Sequence, residues 1–230
     1  MKKGYAILCV VILLLVVSVT LGAEKLALTI KSRGDVSLKE AGEKSFKPNM
    51  KVGTSLYSKD HIKTGQDGFA VLAFLDDKSQ IKIREYSEMV VQGKHGKNAI
   101  SKRINMEFGT LKAEVSKQRQ GDFIIATPTS VASVKGTVFW VFSDPLTGDV
   151  FYGLEGEVDI TNNESGESIT LSPDQTARST PQGEINVKPS QQDEVPQDED
   201  ESEEGSALKS IRIEFQNDEG QIKYLVIEYE

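Results

Sequence analysis

Apolar and polar residues alternate with a period of two along most of the chain. The pattern is plain in FAVLAF at 69–74, QIKIR at 80–84, SEMVVQ at 87–92, RINMEF at 103–108, TLKAEV at 110–115, DFIIAT at 122–127, VFYGLEGEVDI at 150–160 and ESITL at 167–171. Successive side chains on a strand point to opposite faces, so this alternation predicts strands with one buried face. Turn-forming stretches (GQDG, DDKS, HGKN, QRQG, DPLTGD, TNNESGES and LSPDQ) punctuate the strands roughly every ten residues. No segment beyond residue 24 sustains a helical stripe. The chain is therefore expected to be all-β, a single domain of many short strands arranged as a sandwich, a barrel or a solenoid-like stack of rungs.

Three segments break from this pattern. Lys2 and Lys3 precede an uncharged apolar run from Tyr5 to Ala23, which predicts an export signal. The run approaches the ~20 residues that span a bilayer as a helix, so residues 1–23 are read as a cleaved signal peptide or an N-terminal membrane anchor. The remainder is expected to be exported, periplasmic or extracellular, touching the membrane only through residues 5–23 where these are retained. Cys9, the only cysteine, lies inside the run. The exported part then has no disulfide and no thiolate metal site. Far downstream, DEVPQDEDESEE, Asp193 to Glu204, holds eight acidic residues and no basic one. Such a stretch cannot bury enough apolar surface to offset its ordering entropy and predicts a disordered acidic linker. Beyond it, Ile211, Ile213 and Phe215 alternate with Arg212 and Glu214, a turn follows at 216–220, and Ile222, Tyr224, Val226, Ile227 and Tyr229 return. That is a β-hairpin with an apolar face, too small to stand alone in water, which must cover its face on the parent domain or on a partner. The expected divisions are 1–23, a β domain at 24–187, the linker at 188–205 and the hairpin at 206–230.

The formal charge of the full chain is −8, which becomes −10 without Lys2 and Lys3. Nucleic acid and anionic headgroups are not expected as general partners. Little in the sequence points to catalysis. The two histidines, His61 and His95, stand beside turn residues and are expected at the exposed surface. There is no Gly-x-Ser-x-Gly, no His-Glu-x-x-His and no ligand spacing for a transition metal. Asp76 and Asp77 are adjacent carboxylates, but neighbours on a strand face opposite ways and Lys78-Ser79 follows, so they are read as a hairpin turn rather than an acid/base pair. Asp144-Pro145 and Asn162-Asn163 are read as turn starts. The expectation is a protein with no enzymatic activity, no catalytic residue, no cofactor and no metal.

The stretch ATPTSVASVKGTVFWVF, residues 126–142, contains the only Trp and places Lys135-Gly136-Thr137 inside an apolar run. Read as one strand from Ser130, it puts Ala132, Val134, Gly136, Val138, Trp140 and Phe142 on one face and Ser133, Lys135 and Thr137 on the other. Gly136 then marks a bend, a bulge or a close backbone approach, and Pro128 sits at the strand entry, where its missing N–H costs no ladder bond. The order Lys-Gly-Thr within a strand is not a phosphate loop, which needs Gly-Lys-Ser/Thr ahead of a helix.

The order DHIKTGQDGFAVLAFLDDKSQIKI, FGTLKAEV, FIIATPTSVASVKGTVFWV, GLEGEVDI, LSPDQTA resembles the FecR domain, over roughly Val36 to Ala177. Thr127, Pro128, Gly136, Thr137, Trp140, Glu155 and Gly156 are the structural motif on which the resemblance rests. It implies an exported β domain acting through protein contacts, an interaction or sensing module of the bacterial cell envelope with an envelope protein as partner. Lys135, Phe139 and Tyr152 are the candidate binding surface. A second reading is a cell-wall glycan or polysaccharide binder, with Phe139, Trp140, Tyr152 and Tyr86 stacking on sugar rings. A third is the envelope-side component of a transmembrane signalling system. The classical FecR regulators carry a cytoplasmic segment of several dozen residues, handling a sigma factor, ahead of a membrane span. Only Met1 to Gly4 precede the apolar run here, so direct sigma-factor control is not expected of this chain.

Overall fold

The computed structural model describes residues 24–96, 99–118 and 121–198, together with the backbone of 209–216 and 222–229. The apolar leader, the acidic stretch beyond Asp198 and the side chain of His95 lie outside the described residues. The regular elements among the described residues are all β-strands.

Seventeen strands form two nine-stranded sheets that share one long strand. The front sheet runs β4 (Ser55–Tyr57), β1 (Lys25–Arg33), β6 (Phe69–Phe74), β7 (Gln80–Ile83), β9 (Ile100–Glu114), β12 (Val138–Asp144), β13 (Gly148–Glu155), β16 (Gln175–Ser179), β17 (Ile185–Pro189). The back sheet runs β3 (Lys47–Pro48), β2 (Val36–Lys39), β5 (Asp60–Thr64), β8 (Glu88–His95), then β9 again, β10 (Phe123–Ala126), β11 (Ser130–Val134), β14 (Val158–Asn162), β15 (Ser168–Leu171). All pairings are antiparallel except β9 with β10. The all-β expectation holds, and the architecture combines two of the arrangements left open by the sequence. From β10 onward the chain alternates hairpins between back and front, so a coil of rungs is flattened into a sandwich.

Strand β9 makes this possible. The two short runs at 103–108 and 110–115 join into one strand of 15 residues, whose first part pairs with β8 and β10 and whose last part pairs with β7 and β12. The bend between them is Gly109, at φ 112°, where a Cβ would lie 2.4 Å from the Cα of Ser87. Only glycine tolerates both conditions. The core lies between the sheets. Phe74 of the front and Phe123 of the back meet edge to face, ring centres 5.4 Å apart at 83°, a contact adding about 1 kcal/mol to the burial itself. Gly93 leaves the space that Leu26 fills, since a Cβ there would meet its Cδ1 at 2.4 Å.

Strand β17 carries the body to Pro189, and the N–H of Ser190 donates to the Asp174 carbonyl at 2.8 Å. Residues 191–230 form a separate unit. In it the backbone of β18 (Lys209–Gln216) pairs antiparallel with β19 (Ile222–Tyr229), with Ile211 opposite Ile227 and Ile213 opposite Leu225.

Candidate interaction face

The 126–142 stretch is not one strand. Its first part, β11, lies in the back sheet with Ala132 and Val134 buried in the core; its last part, β12, lies in the front sheet with Phe139 and Val141 in the core. Lys135-Gly136-Thr137 is the crossing between sheets, and it shifts the inward phase from even to odd positions. Extending one strand through the crossing placed Trp140 and Phe142 with Ala132 and Val134. They lie on the opposite side, facing away from the core. Gly136 has φ 110°, and a Cβ on it would sit 2.9 Å from the Cα of Lys117. The return crossing is Glu155-Gly156, with Gly156 at φ 71° and its Cβ position 2.7 Å from the carbonyl oxygen of Gly136 and 2.8 Å from Cγ2 of Thr137. The Gly-Thr and Glu-Gly pairs, far apart in sequence, therefore pack on each other. Thr137 is buried and Lys135 is exposed.

Thr127-Pro128 forms a second locked corner. The Thr127 hydroxyl accepts from the N–H groups of Thr129 and Ser130 and donates to Asp149 Oδ2 at 2.6 Å, while Ser143 donates to Asp149 Oδ1 at 2.6 Å. Asn163 closes the corner by donating to the carbonyls of Thr127 and Pro128. Burial pushes the Asp149 carboxyl above the usual carboxylate range, against the hydroxyls that favour its charge. These motif residues are structural and converge on no reacting atom.

Three placements differ from the sequence reading. Phe139 is fully buried between the sheets and presents nothing to a ligand. His61 is not an exposed histidine. Its side chain is 16% exposed, its Nε2 lies 3.1 Å from Glu88 Oε1 and its ring meets Phe46 edge-on, and burial together with nearby Lys39 holds its pKa below the ordinary value. Asp76 and Asp77 do start a hairpin turn, Asp77 accepting from the N–H of Ser79, but both also meet one cation. Lys102 Nζ lies 2.7 Å from an oxygen of each. The Lys102 side chain is 1% exposed, with its ammonium over the rings of Phe74 and Phe123. Burial works against the charge on Asp77, yet hydrogen bonds from Gln118, Lys102 and the Ser79 N–H outweigh it and hold the pKa below the usual range.

The outer side of the front sheet is the surface that sequence reasoning missed. Lateral register places Lys31, Val71, Lys82, Lys112, Trp140, Tyr152, Thr176 and Lys188 in one row across eight strands. A parallel row carries Arg33 beside Phe69, and Thr110, Phe142, Val150 and Arg178 side by side. Cations and aromatic rings are stacked here: Arg84 lies 5.0 Å and Lys112 5.9 Å from the Trp140 ring, and Arg33 4.9 Å from the Phe69 ring. Glu114 pairs with both Lys82 and Lys112. Phe69, Val71, Trp140 and Val150 are buried but stand apart from the inter-sheet core. The signal was present in QIKIR and TLKAEV, where the polar phase carries Lys82, Arg84 and Lys112 with Glu114 as their one counter-charge; only the register adds the strands together.

Residues 60–159 match the family model described as FecR protein. No curated protein matches. Among solved structures, the chain is similar to a candidate anti-sigma factor from Parabacteroides distasonis ATCC 8503 in two crystal structures, at 2.50 and 1.65 Å. They share 18% and 19% identity with it, at TM-scores of 0.47 and 0.46. Each match covers 56% of this chain and 59% of the relative, so the chain spans less than two thirds of those proteins. The matched range takes in the Thr127-Pro128 corner and both crossings between sheets, and over it the chain is similar to the FecR family.

Proposed function

We propose that this chain is an exported, non-enzymatic interaction or sensing module of the bacterial cell envelope, and that it meets its partner through the outer face of the front sheet. The observation that carries the reading is the concentration of basic and aromatic side chains on that one face of an acidic chain. The FecR match supports a role in envelope signalling. The residues singled out by motif support strand crossings and corners rather than a reacting centre. A glycan platform is the weaker reading: Phe139 is in the core, and Trp140 is 2% exposed. The test is affinity capture from envelope extract with the full chain, set beside a glycan-binding screen. Capture of a defined envelope protein, lost on substituting the exposed Arg33 and Arg178 of that face by Glu, is the expected result. A glycan hit without protein capture overturns the reading.

A further inference from the structure

The back sheet carries a groove of about 330 Å³, within the size range of small-molecule sites. Val91, Ile104, Phe123 and Ile125 face the inter-sheet core, so their strand neighbours Gln92, Arg103 and Ile124 face outward. Register sets these three side by side across β8, β9 and β10, and they line the groove. One step along the strands Lys94 stands opposite Ser101, and the Lys102 N–H donates to the Asp122 carbonyl at 2.7 Å. The remaining wall is the Ser58-Lys59 turn between β4 and β5. It is tied to β8, where the Lys59 N–H donates to the Val91 carbonyl at 2.7 Å and the Gly93 N–H donates to Ser58 Oγ at 3.1 Å. Lys59 holds φ 77°, a left-handed conformation uncommon in side chains other than Asn and Asp. Backbone strain of this kind clusters at ligand clamps.

We propose that this groove is a binding site for a phosphoryl group, carried by a small phosphate monoester or a lipid headgroup. Charge selects the ligand. Lys59, Lys94 and Arg103 line the groove with Asp122 as the one carboxylate among its described residues, a formal charge of +2. A phosphate monoester carries about −1.5 to −2 at neutral pH and balances it, whereas a single carboxylate leaves half of it unmet. The hydrogen-bonding groups agree. Ser58 and Ser101 each accept a backbone N–H, from Gly93 and Asp122, which leaves each hydroxyl hydrogen to donate to an oxyanion. Arg103 Nε donates to Asn105 Oδ1 at 2.8 Å, which fixes the guanidinium and leaves its terminal nitrogens for the fork that a phosphate accepts. Ile124 supplies an apolar wall for the body that bears the phosphate. The groove belongs to the back sheet and goes beyond the partner face proposed on the front sheet, so ligand binding and partner capture are separate measurements.

The test is calorimetric titration of the full chain with glucose 6-phosphate, set beside glucose, together with sedimentation on phosphatidylcholine vesicles with and without phosphatidic acid. Saturable binding of the phosphorylated probe and not of its neutral counterpart is the expected result. Arg103→Gln and Lys59→Gln are each expected to weaken it at least about tenfold, the loss of a hydrogen bond to a charged group. Asp122→Asn is expected to tighten it several-fold by removing the opposing charge. These side chains are exposed or half-buried, so the melt should not move in any of the three. Lys31→Gln, an exposed lysine of the front sheet, is expected to leave binding unchanged. Binding of glucose 6-phosphate assigns the site to a soluble ligand; binding of phosphatidic acid vesicles alone, lost in Arg103→Gln, assigns it to a headgroup. Neither probe binding, binding that survives Arg103→Gln, or an equal loss in Lys31→Gln overturns the proposal.

Discussion

Lys102→Met is the most informative single change in the β domain. The lysine ammonium sits 2.7 Å from one oxygen of Asp76 and one of Asp77, and its side chain is 1% exposed against 24% and 19% for the two carboxylates. At an effective dielectric of about 20, each contact is worth about 6 kcal/mol of attraction, offset by several kcal/mol of desolvation for each ion. The net worth of the cluster is therefore small, but breaking it is costly. Methionine keeps a stem to pack between Phe74 and Phe123 and removes the charge, leaving two half-buried carboxylates facing each other. The expected loss is about 3 kcal/mol, within the range for breaking a buried pair. Lys102→Met combined with Asp76→Asn and Asp77→Asn removes the charges together and is expected to recover most of that loss.

The assay is urea unfolding followed by circular dichroism, with the pH varied. Asp77 is held below its ordinary pKa in the folded protein. Its contribution is present above the unfolded value and lost as pH falls through the lowered folded value. Lys102→Met should shrink that acid-side loss, leaving the share that Gln118 and the Ser79 N–H supply, as well as lower stability at neutral pH. A cost below about 1 kcal/mol, the range of exposed pairs, or a triple variant no better than Lys102→Met alone, refutes the account of a buried, mutually dependent cluster.

Gly136→Val is expected to cost about 2 to 4 kcal/mol, because φ 110° strains any L side chain and its Cβ meets the Lys117 backbone; Lys135→Ala, at an exposed position of the same crossing, is expected to leave the melt unchanged, and equal losses in the two would contradict the crossing argument. Asp149→Asn keeps an acceptor for one hydroxyl and adds a donor for the other. The folded protein holds the Asp149 proton where the unfolded chain has released it, so its stabilising share is full below the unfolded pKa and is lost as pH rises through the raised folded value. The Asn variant is expected to gain on the natural chain as pH rises across that window in thermal melts; a constant difference at every pH would show that burial does not govern this carboxyl.

Strand positions were legible because period two survives wherever one face is buried. FAVLAF, read at 69–74, is β6 to the residue, and the hairpin turns at 144–147 and 162–167 stand where Asp144 and Asn162 accept from the N–H groups that follow them. Phase was lost wherever a glycine changes the direction of the chain. Gly136 carries the chain from back sheet to front, and reading one strand through it exchanged the inner and outer faces of β12. That one-residue phase error put Phe139 on the candidate surface and hid the face to which Trp140 belongs. Lys102 was hidden differently. It falls in the inward phase of β9, two residues before Ile104, which is a local signal for a buried lysine, but its two carboxylates lie on a hairpin 25 residues away and come to it only across the sandwich.

Net charge was the least transferable of the sequence arguments, and the reason is geometric. A formal charge of −8 describes the chain at distances beyond a Debye length of about 8 Å in physiological salt; a partner approaching the front sheet meets the local row from Lys31 to Lys188. The charge is segregated, with basic residues gathered by register on one face and eight acidic residues gathered in the stretch that follows the last strand of the same sheet. A partner that meets this face through its basic row then needs carboxylates of its own, and raised salt, which screens exposed charges, should weaken its capture. Capture that is unchanged between low and high salt would mean that the basic row takes no part in the contact.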